Sequence, residues 1–121
     1  MCSISGIFST ADPASHTEAV SRMNAALTHR GPDDEGIVMC GAAVLGNTRL
    51  AVIDTSDAGH QPMHDPQTGN WITYNGETYN FKQLRNELES ERQAWRSSSD
   101  TEVVLRAYGE WGVDAFRRLR G

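Results

Sequence analysis

Cysteine is scarce in this sequence, with only Cys2 and Cys40 among 121 residues. A disulfide framework of the kind that staples small secreted domains has too little to work with, and free thiols in a reducing compartment fit better. Nowhere do about 18 apolar residues run together. The first residues, Met1-Cys-Ser-Ile-Ser-Gly-Ile-Phe8, carry neither a basic n-region nor an extended apolar segment. No membrane span or secretory signal is expected, and the chain reads as cytoplasmic. Positive charge is also short: 11 bases stand against 16 acids, for a formal net charge of -5, and no basic-aromatic stripe occurs. A nucleic-acid partner is therefore not expected, and a small polar metabolite is the better fit. Phosphate-binding loops, dinucleotide fingerprints and metal-spaced cysteine sets are missing too. His60 and His64 stand four apart, but Pro62 between them and the surrounding Gly and Asp argue against a helix. They read as loop histidines, and neither a metal nor a cofactor is expected in this domain.

What is present describes one compact domain. The length suits a single core, and 38% hydrophobic with 22% charged residues is ordinary globular usage rather than disorder. Ile4 to Phe8 reads as a short buried strand. Thr17 to Thr28 places Val20, Met23, Ala26 and Leu27 at helical spacing. His29 to Gly36 breaks all periodicity. Ile37 to Ile53, rich in Val, Ile, Leu and Ala and interrupted by Gly41 and Gly46, reads as two or three strands. Asp54 to Asn70 reads as a long loop and Trp71 to Tyr74 as another strand, followed by the turn signal Asn75-Gly76, both of which tolerate positive φ. Asn80 with Gln83, and Ser99 with Glu102, are capping-box patterns opening two helices, the second stopped by Gly112. This order describes an α+β domain with mostly antiparallel pairing.

Cys2 carries the most chemical information. A small residue after Met1 permits removal of the methionine, which leaves a cysteine with a free α-amine, so that nucleophile and base share one residue. An α-amino group titrates near about 7.7 to 8.0, so a useful neutral fraction can accept the thiol proton. The alternative for any single cysteine is that of a small apolar residue in a core, which also explains Cys40. Acyl transfer through a thiol needs donors where negative oxygen develops, and the Asn75 side-chain amide with the Gly76 backbone amide can supply them. Arg49, beside the apolar run Leu50 to Ile53, offers a planar fork for a carboxylate; a surface ion pair is its plainer role. Glu77 and Asp100 together can hold an ammonium, although Asp100 also suits the first turn of a helix. Carboxylate and ammonium anchors together imply an amino-acid substrate.

With these residues laid out, the sequence resembles the class II glutamine amidotransferase domain, and within that group the amino-terminal domain of glutamine-hydrolysing asparagine synthetases. The motifs that carry the resemblance run in order along essentially the whole chain. They are Met1-Cys-Ser-Ile-Ser-Gly-Ile-Phe8, His29-Arg-Gly-Pro-Asp-Asp-Glu-Gly36, Arg49-Leu-Ala-Val-Ile-Asp54, Gly59-His-Gln-Pro-Met63, Tyr74-Asn-Gly-Glu-Thr-Tyr-Asn-Phe81 and Ser99-Asp-Thr-Glu-Val103. The resemblance implies an N-terminal-nucleophile hydrolase type of fold, with antiparallel sheets layered with helices. It also implies glutamine as substrate: Cys2 attacks the side-chain amide, Asn75 and Gly76 stabilise the oxyanion, Arg49 holds the carboxylate, and Glu77 and Asp100 hold the amino group. In the family the ammonia passes to a second, ATP- and Mg-dependent synthetase domain that activates aspartate, and that domain lies outside these 121 residues.

Three departures from the family pattern stand out. The family continues through further strands, so the chain is expected to be a partial glutaminase domain over residues 1–121, truncated after Gly121, and to self-associate through an exposed sheet edge. Asn47 stands where the family often has histidine, and Thr78 where it usually has isoleucine. Two other readings keep the same fold: a catalytically silent fragment, and a glutaminase domain serving another acceptor such as a sugar phosphate. A hydrolase of a different amide is disfavoured by the amino-acid anchors. A retained Met1 would acylate the amine that serves as base, and that form is expected to be inactive.

Overall fold

The computed structural model describes residues 1–88 and 94–121. Its larger sheet holds β1 (Ser3–Phe8), β2 (Asp34–Cys40) and β3 (Ala43–Arg49) in the order β1-β3-β2, antiparallel throughout. The expected α+β class with antiparallel pairing is what forms. Cys40 pairs with Ala43, so only Gly41 and Ala42 join β2 to β3, and Gly41 has φ 58. Glycine at positive φ in the first loop position, followed by a residue outside that region, is the requirement of a type II′ hairpin.

Side chains alternate across the sheet. Ser3, Ser5 and Ile7 share a face with their partners Thr48, Gly46 and Val44. Helix α1 (Thr17–Leu27) lies on this face, close enough that a Cβ on Gly46 would collide with Ser5, Asn24 and Val20. The buried stripe of α1 differs from the expected one: Met23 is exposed, whereas Val20 and Asn24 are buried. Burial of an amide is tolerable because Asn24 is fully bonded. Its Oδ1 accepts from the Ser5 hydroxyl at 2.7 Å, and its Nδ2 donates to the carbonyls of Gly36 (3.2 Å) and Asn47 (3.3 Å).

On the opposite face, the Asn47–Arg49 end meets the chain that follows β3. Asn47 Nδ2 donates to Thr73 Oγ1 (3.1 Å) and Gln61 Oε1 (3.4 Å). Beyond it lies a two-stranded sheet of β4 (Met63–His64) and β5 (Trp71–Ile72), then α2 (Phe81–Leu88) packed on α3 (Asp100–Trp111). Leu84 from α2 and Val103, Val104, Leu105 and Ala107 from α3 form most of the apolar core. Gly112, at φ 56, ends α3 by donating its N–H to the Tyr108 carbonyl, as its position in the sequence suggests. No described helix is long and apolar enough to cross a membrane.

Several local expectations change. Strand β1 is not buried, since Ile4 and Phe8 are exposed, and β4 forms inside the stretch read as a long loop, so His64 lies on a strand. Strand β2 begins at Asp34, inside the stretch that lacks periodicity, because pairing with Arg49 and Thr48 on β3 supplies its ladder. Residues Leu50 to Ile53 form no strand, and Trp71–Tyr74 pairs only over Trp71–Ile72. Asn80 does not cap α2 with its side chain. It instead clasps the chain end, donating to the Arg118 carbonyl (2.8 Å) and accepting from the Arg120 N–H (2.9 Å). Ser99 does cap α3, accepting from Thr101 N–H at 3.1 Å, but Glu102 reaches past the cap to the N–H groups of Arg96 and Ser97.

Candidate active site

A cleft of about 320 Å³ is lined by Cys2, Arg49, Asn75, Gly76, Glu77 and Asp100, so the fold gathers all six residues singled out from the sequence. Three separate parts of the chain bring them there. Cys2 immediately precedes β1 and Arg49 closes β3, and the Ser3–Thr48 pairing sets both at the same end of the sheet. Asn75, Gly76 and Glu77 follow β5, and Asp100 opens α3.

The Cys2 thiol sits against the backbone of Leu50, whose N–H donates to Sγ at 3.4 Å, while Sγ lies 3.6 Å from the Leu50 carbonyl. The backbone around Cys2 is tied to Arg30: its Nε donates to the Cys2 carbonyl (3.5 Å), and its own carbonyl accepts from the Met1 amine (3.3 Å). Arg49 is buried. Its guanidinium donates to the carbonyls of Asp54 and Ser56, the latter at 3.1 Å, and Gly59 leaves room for it where a Cβ would collide. Asp34 lies 3.9 Å from Arg49 Nη1 and is itself bonded to His60 Nδ1 at 2.8 Å. His60 is thus a loop histidine, and among the described residues no cluster suited to a metal ion occurs.

Asn75-Gly76 is not the positive-φ turn its sequence suggests, since among the described residues only Gly41, Gly69 and Gly112 have positive φ. Gly76 instead leaves room for the Tyr74 side chain. A Cβ there would lie 2.7 Å from the Tyr74 hydroxyl and 2.8 Å from its ring carbon Cζ. Residues 75–77 are exposed, and among the described residues nothing accepts their N–H groups or pairs the Asn75 and Glu77 side chains. These residues line the cleft with those donors and acceptors unspent.

Asp100 is buried at the start of α3, where its Oδ2 accepts the Thr78 N–H at 2.8 Å. Burial pushes its carboxyl above the usual carboxylate range and the negative charge of Glu77 adds to this, against the opposing pull of the Thr78 and Thr101 N–H groups. Two acids beside one cleft, one of them held up by burial and like charge, form a site that a cation would relieve.

Three residues that shape the cleft had no role assigned from sequence. Asp54 accepts from both Ser56 and Ser98. Gln61 accepts the Tyr74 N–H at 2.6 Å and donates to Thr101 Oγ1 at 3.3 Å, which links the segment before Asn75 to the helix that carries Asp100. Tyr74 covers Gly76. All three stand inside quoted motifs, which is the only signal that could have found them. A second cavity of about 170 Å³, between the Asp65–Thr68 turn and α3, contains none of the six predicted residues.

Known proteins similar to this chain match it along its whole length. Asparagine synthetase (glutamine-hydrolyzing) 1 of Bacillus subtilis is 37% identical over 124 residues, covering 100% of this chain and 20% of the relative. Asparagine synthetase B (glutamine-hydrolyzing) of Escherichia coli is 35% identical over 122 residues, with 100% and 22% covered. Asparagine synthetase (glutamine-hydrolyzing) 1 of Arabidopsis thaliana is 36% identical over 122 residues, with 100% and 20% covered. The chain thus spans about a fifth of the length of these curated relatives. Because the family model described as the glutamine amidotransferase domain matches residues 1–121 from end to end, the chain belongs to that family.

Proposed function

We propose that this chain is the glutamine-hydrolysing domain of an asparagine synthetase, with the N-terminal-nucleophile type of fold, acting once Met1 has been removed. The observation that carries the reading is the single cleft that holds Cys2, Arg49, Asn75, Gly76, Glu77 and Asp100. Arg49 takes the glutamine α-carboxylate, and Glu77 with Asp100 takes its α-ammonium. The freed Cys2 amine accepts the thiol proton, and Sγ forms a bond to the side-chain amide carbon. The Asn75 side-chain amide and the Gly76 N–H, both unspent donors, receive the negative oxygen. Collapse breaks the C–N bond, and the proton held by the Cys2 amine passes to the departing nitrogen to give ammonia. Water then adds to the thioester, and glutamate leaves with the thiol restored.

The ammonia acceptor is aspartate, activated by a separate synthetase domain that uses ATP and Mg; the glutaminase cleft itself takes no cofactor. Similarity to asparagine synthetases along the whole chain supports this choice. The free edge of β1, beside the exposed Ile4 and Phe8, is the surface through which isolated chains would associate.

Intact-mass measurement after incubation with an electrophilic glutamine analogue tests the reading. The processed chain is expected to gain one adduct on Cys2, and Cys2→Ala to gain none. An adduct confined to Cys40, or none on a chain that lacks Met1, overturns it.

A further inference from the structure

The segment that carries the proposed oxyanion donors has little of its own to hold it. Residues 75–77 lie outside helix and strand, and their N–H groups find no acceptor among the described residues. Catalysis by preorganised donors requires such a segment to be held still, because a donor that must reorient during reaction loses most of its advantage.

The segment is fixed from its ends. Before it, the Tyr74 N–H donates to Gln61 Oε1 at 2.6 Å; after it, the Thr78 N–H donates to Asp100 Oδ2 at 2.8 Å. A third tie closes across the top. The Tyr74 hydroxyl and Thr78 Oγ1 are 3.0 Å apart, four residues separated in sequence, with Asn75, Gly76 and Glu77 between them. The ring so held lies against Gly76, where a Cβ would come within 2.7 Å of the hydroxyl. Thr78 is 3% exposed, so the hydroxyl that holds the ring is itself fixed by packing.

Resting on the glutaminase reading above, we infer that the Tyr74–Thr78 hydroxyl pair is a positioning clasp that holds Asn75 and Gly76 in place for the oxyanion. Neither residue needs to touch the substrate. Tyr74 remains a neutral phenol in this role, since burial raises its pKa, with the charges of Asp100 and Glu77 adding and the Thr78 bond opposing. The clasp works through one neutral hydrogen bond, so its loss should be felt as a modest change in rate.

The test is a double-mutant cycle in the full 121-residue chain with Met1 removed, using Thr78→Val, Tyr74→Phe, the pair together, and Thr78→Ser. Each of the first two is expected to lower kcat for glutamine hydrolysis roughly three- to tenfold, with KM changed by less than about twofold, because the donors act on the transition state. The double variant should be no slower than the slower single, and Thr78→Ser should restore most of the rate. Losses that multiply overturn the clasp, as does a change in KM alone. A loss in Tyr74→Phe with none in Thr78→Val also overturns it, since the phenol then acts on the substrate itself. If the unmodified chain acquires no adduct at Cys2, it is the glutaminase reading that fails. The clasp is then judged by backbone ¹⁵N order parameters over residues 75–77. Equal falls in both single variants with no further fall in the double support it, and unchanged values overturn it.

Discussion

Asp54 Oδ2 accepts both the backbone N–H (2.7 Å) and the hydroxyl (3.0 Å) of Ser98, 44 positions further along the chain. Its other oxygen accepts the N–H (2.9 Å) and hydroxyl (2.6 Å) of Ser56. One carboxylate therefore bolts the loop that anchors Arg49 to the segment that leads into Asp100, and the two ends of a bound amino acid would be registered through it.

The hydroxyl of Ser56 and the N–H of Ser98 lead the interactions that hold the Asp54 carboxyl well below the usual carboxylate range, against the effect of burial. A depressed folded-state pKa contributes stability that is fully present above the unfolded value, near about 3.9, and is lost as pH falls through the folded value. Asp54→Asn is thus expected to destabilise by roughly 2–3 kcal/mol at pH 7, and the gap to the unmodified protein should narrow below about pH 4. Urea unfolding at pH 7 and pH 3 measures both, and an equal gap at the two values would contradict the argument.

Asp100 has the opposite sign. Burial raises its folded-state pKa, so ionisation works against folding as pH rises through the carboxylate range. Asp100→Asn keeps an oxygen to accept the Thr78 N–H and removes the buried charge. Its thermal midpoint at pH 7 should equal or exceed that of the unmodified chain, with the difference disappearing in acid, where both side chains are neutral. Glutamine binding by calorimetry should weaken in the same variant. A variant both less stable and unchanged in binding would remove Asp100 from the ammonium site.

How far the sequence reveals this molecule depends on the range of the interaction involved. Cys2, Arg49, Asn75, Gly76, Glu77 and Asp100 could be named because each carries its chemistry in its own side chain or backbone. The Ser99 cap and the stop at Gly112 are equally local. Asn24 and Asn80 show where such reading ends. Asn24 lies in a helix whose apolar spacing points to Met23, and the Ser5 hydroxyl with the carbonyls of two separate strands makes burial of its amide favourable. Asn80 has the spacing of a cap, but the backbone of residues 118–120 takes its side chain. The Asn75-Gly76 pair suggests a turn; the Tyr74 ring, tied by Gln61 and Thr78, is what lies against the glycine.

Arg49 offers a sharper test of the carboxylate site. Its guanidinium already spends an N–H from each terminal nitrogen on the carbonyls of Asp54 and Ser56, so the remaining N–H groups are held at a fixed angle to the cleft. Lysine keeps the charge but has neither the fork nor the reach to satisfy both carbonyls while holding a carboxylate. Arg49→Lys should raise KM for glutamine by roughly 10- to 100-fold, the loss of a charge-assisted bidentate contact. The rate at saturating glutamine should fall much less. Steady-state kinetics separates the two, and a loss confined to kcat would assign Arg49 to the chemical step.

The state of the first residue governs everything the Cys2 thiol can do. With Met1 in place the nitrogen of Cys2 is an amide, and the free α-amine is that of Met1, which donates to the Arg30 carbonyl at 3.3 Å. An amide nitrogen is no proton acceptor at neutral pH, so the thiol lacks its base even though the Leu50 N–H still reaches Sγ. Preparations that differ in the fraction of chains lacking Met1 should differ in glutaminase activity in direct proportion, with an intercept at zero. Adding an aminopeptidase that removes Met1 should raise activity and the Cys2-adduct yield together. Intact mass gives the fraction and an ammonia assay gives the rate; activity that is independent of the fraction would mean that another group takes the thiol proton.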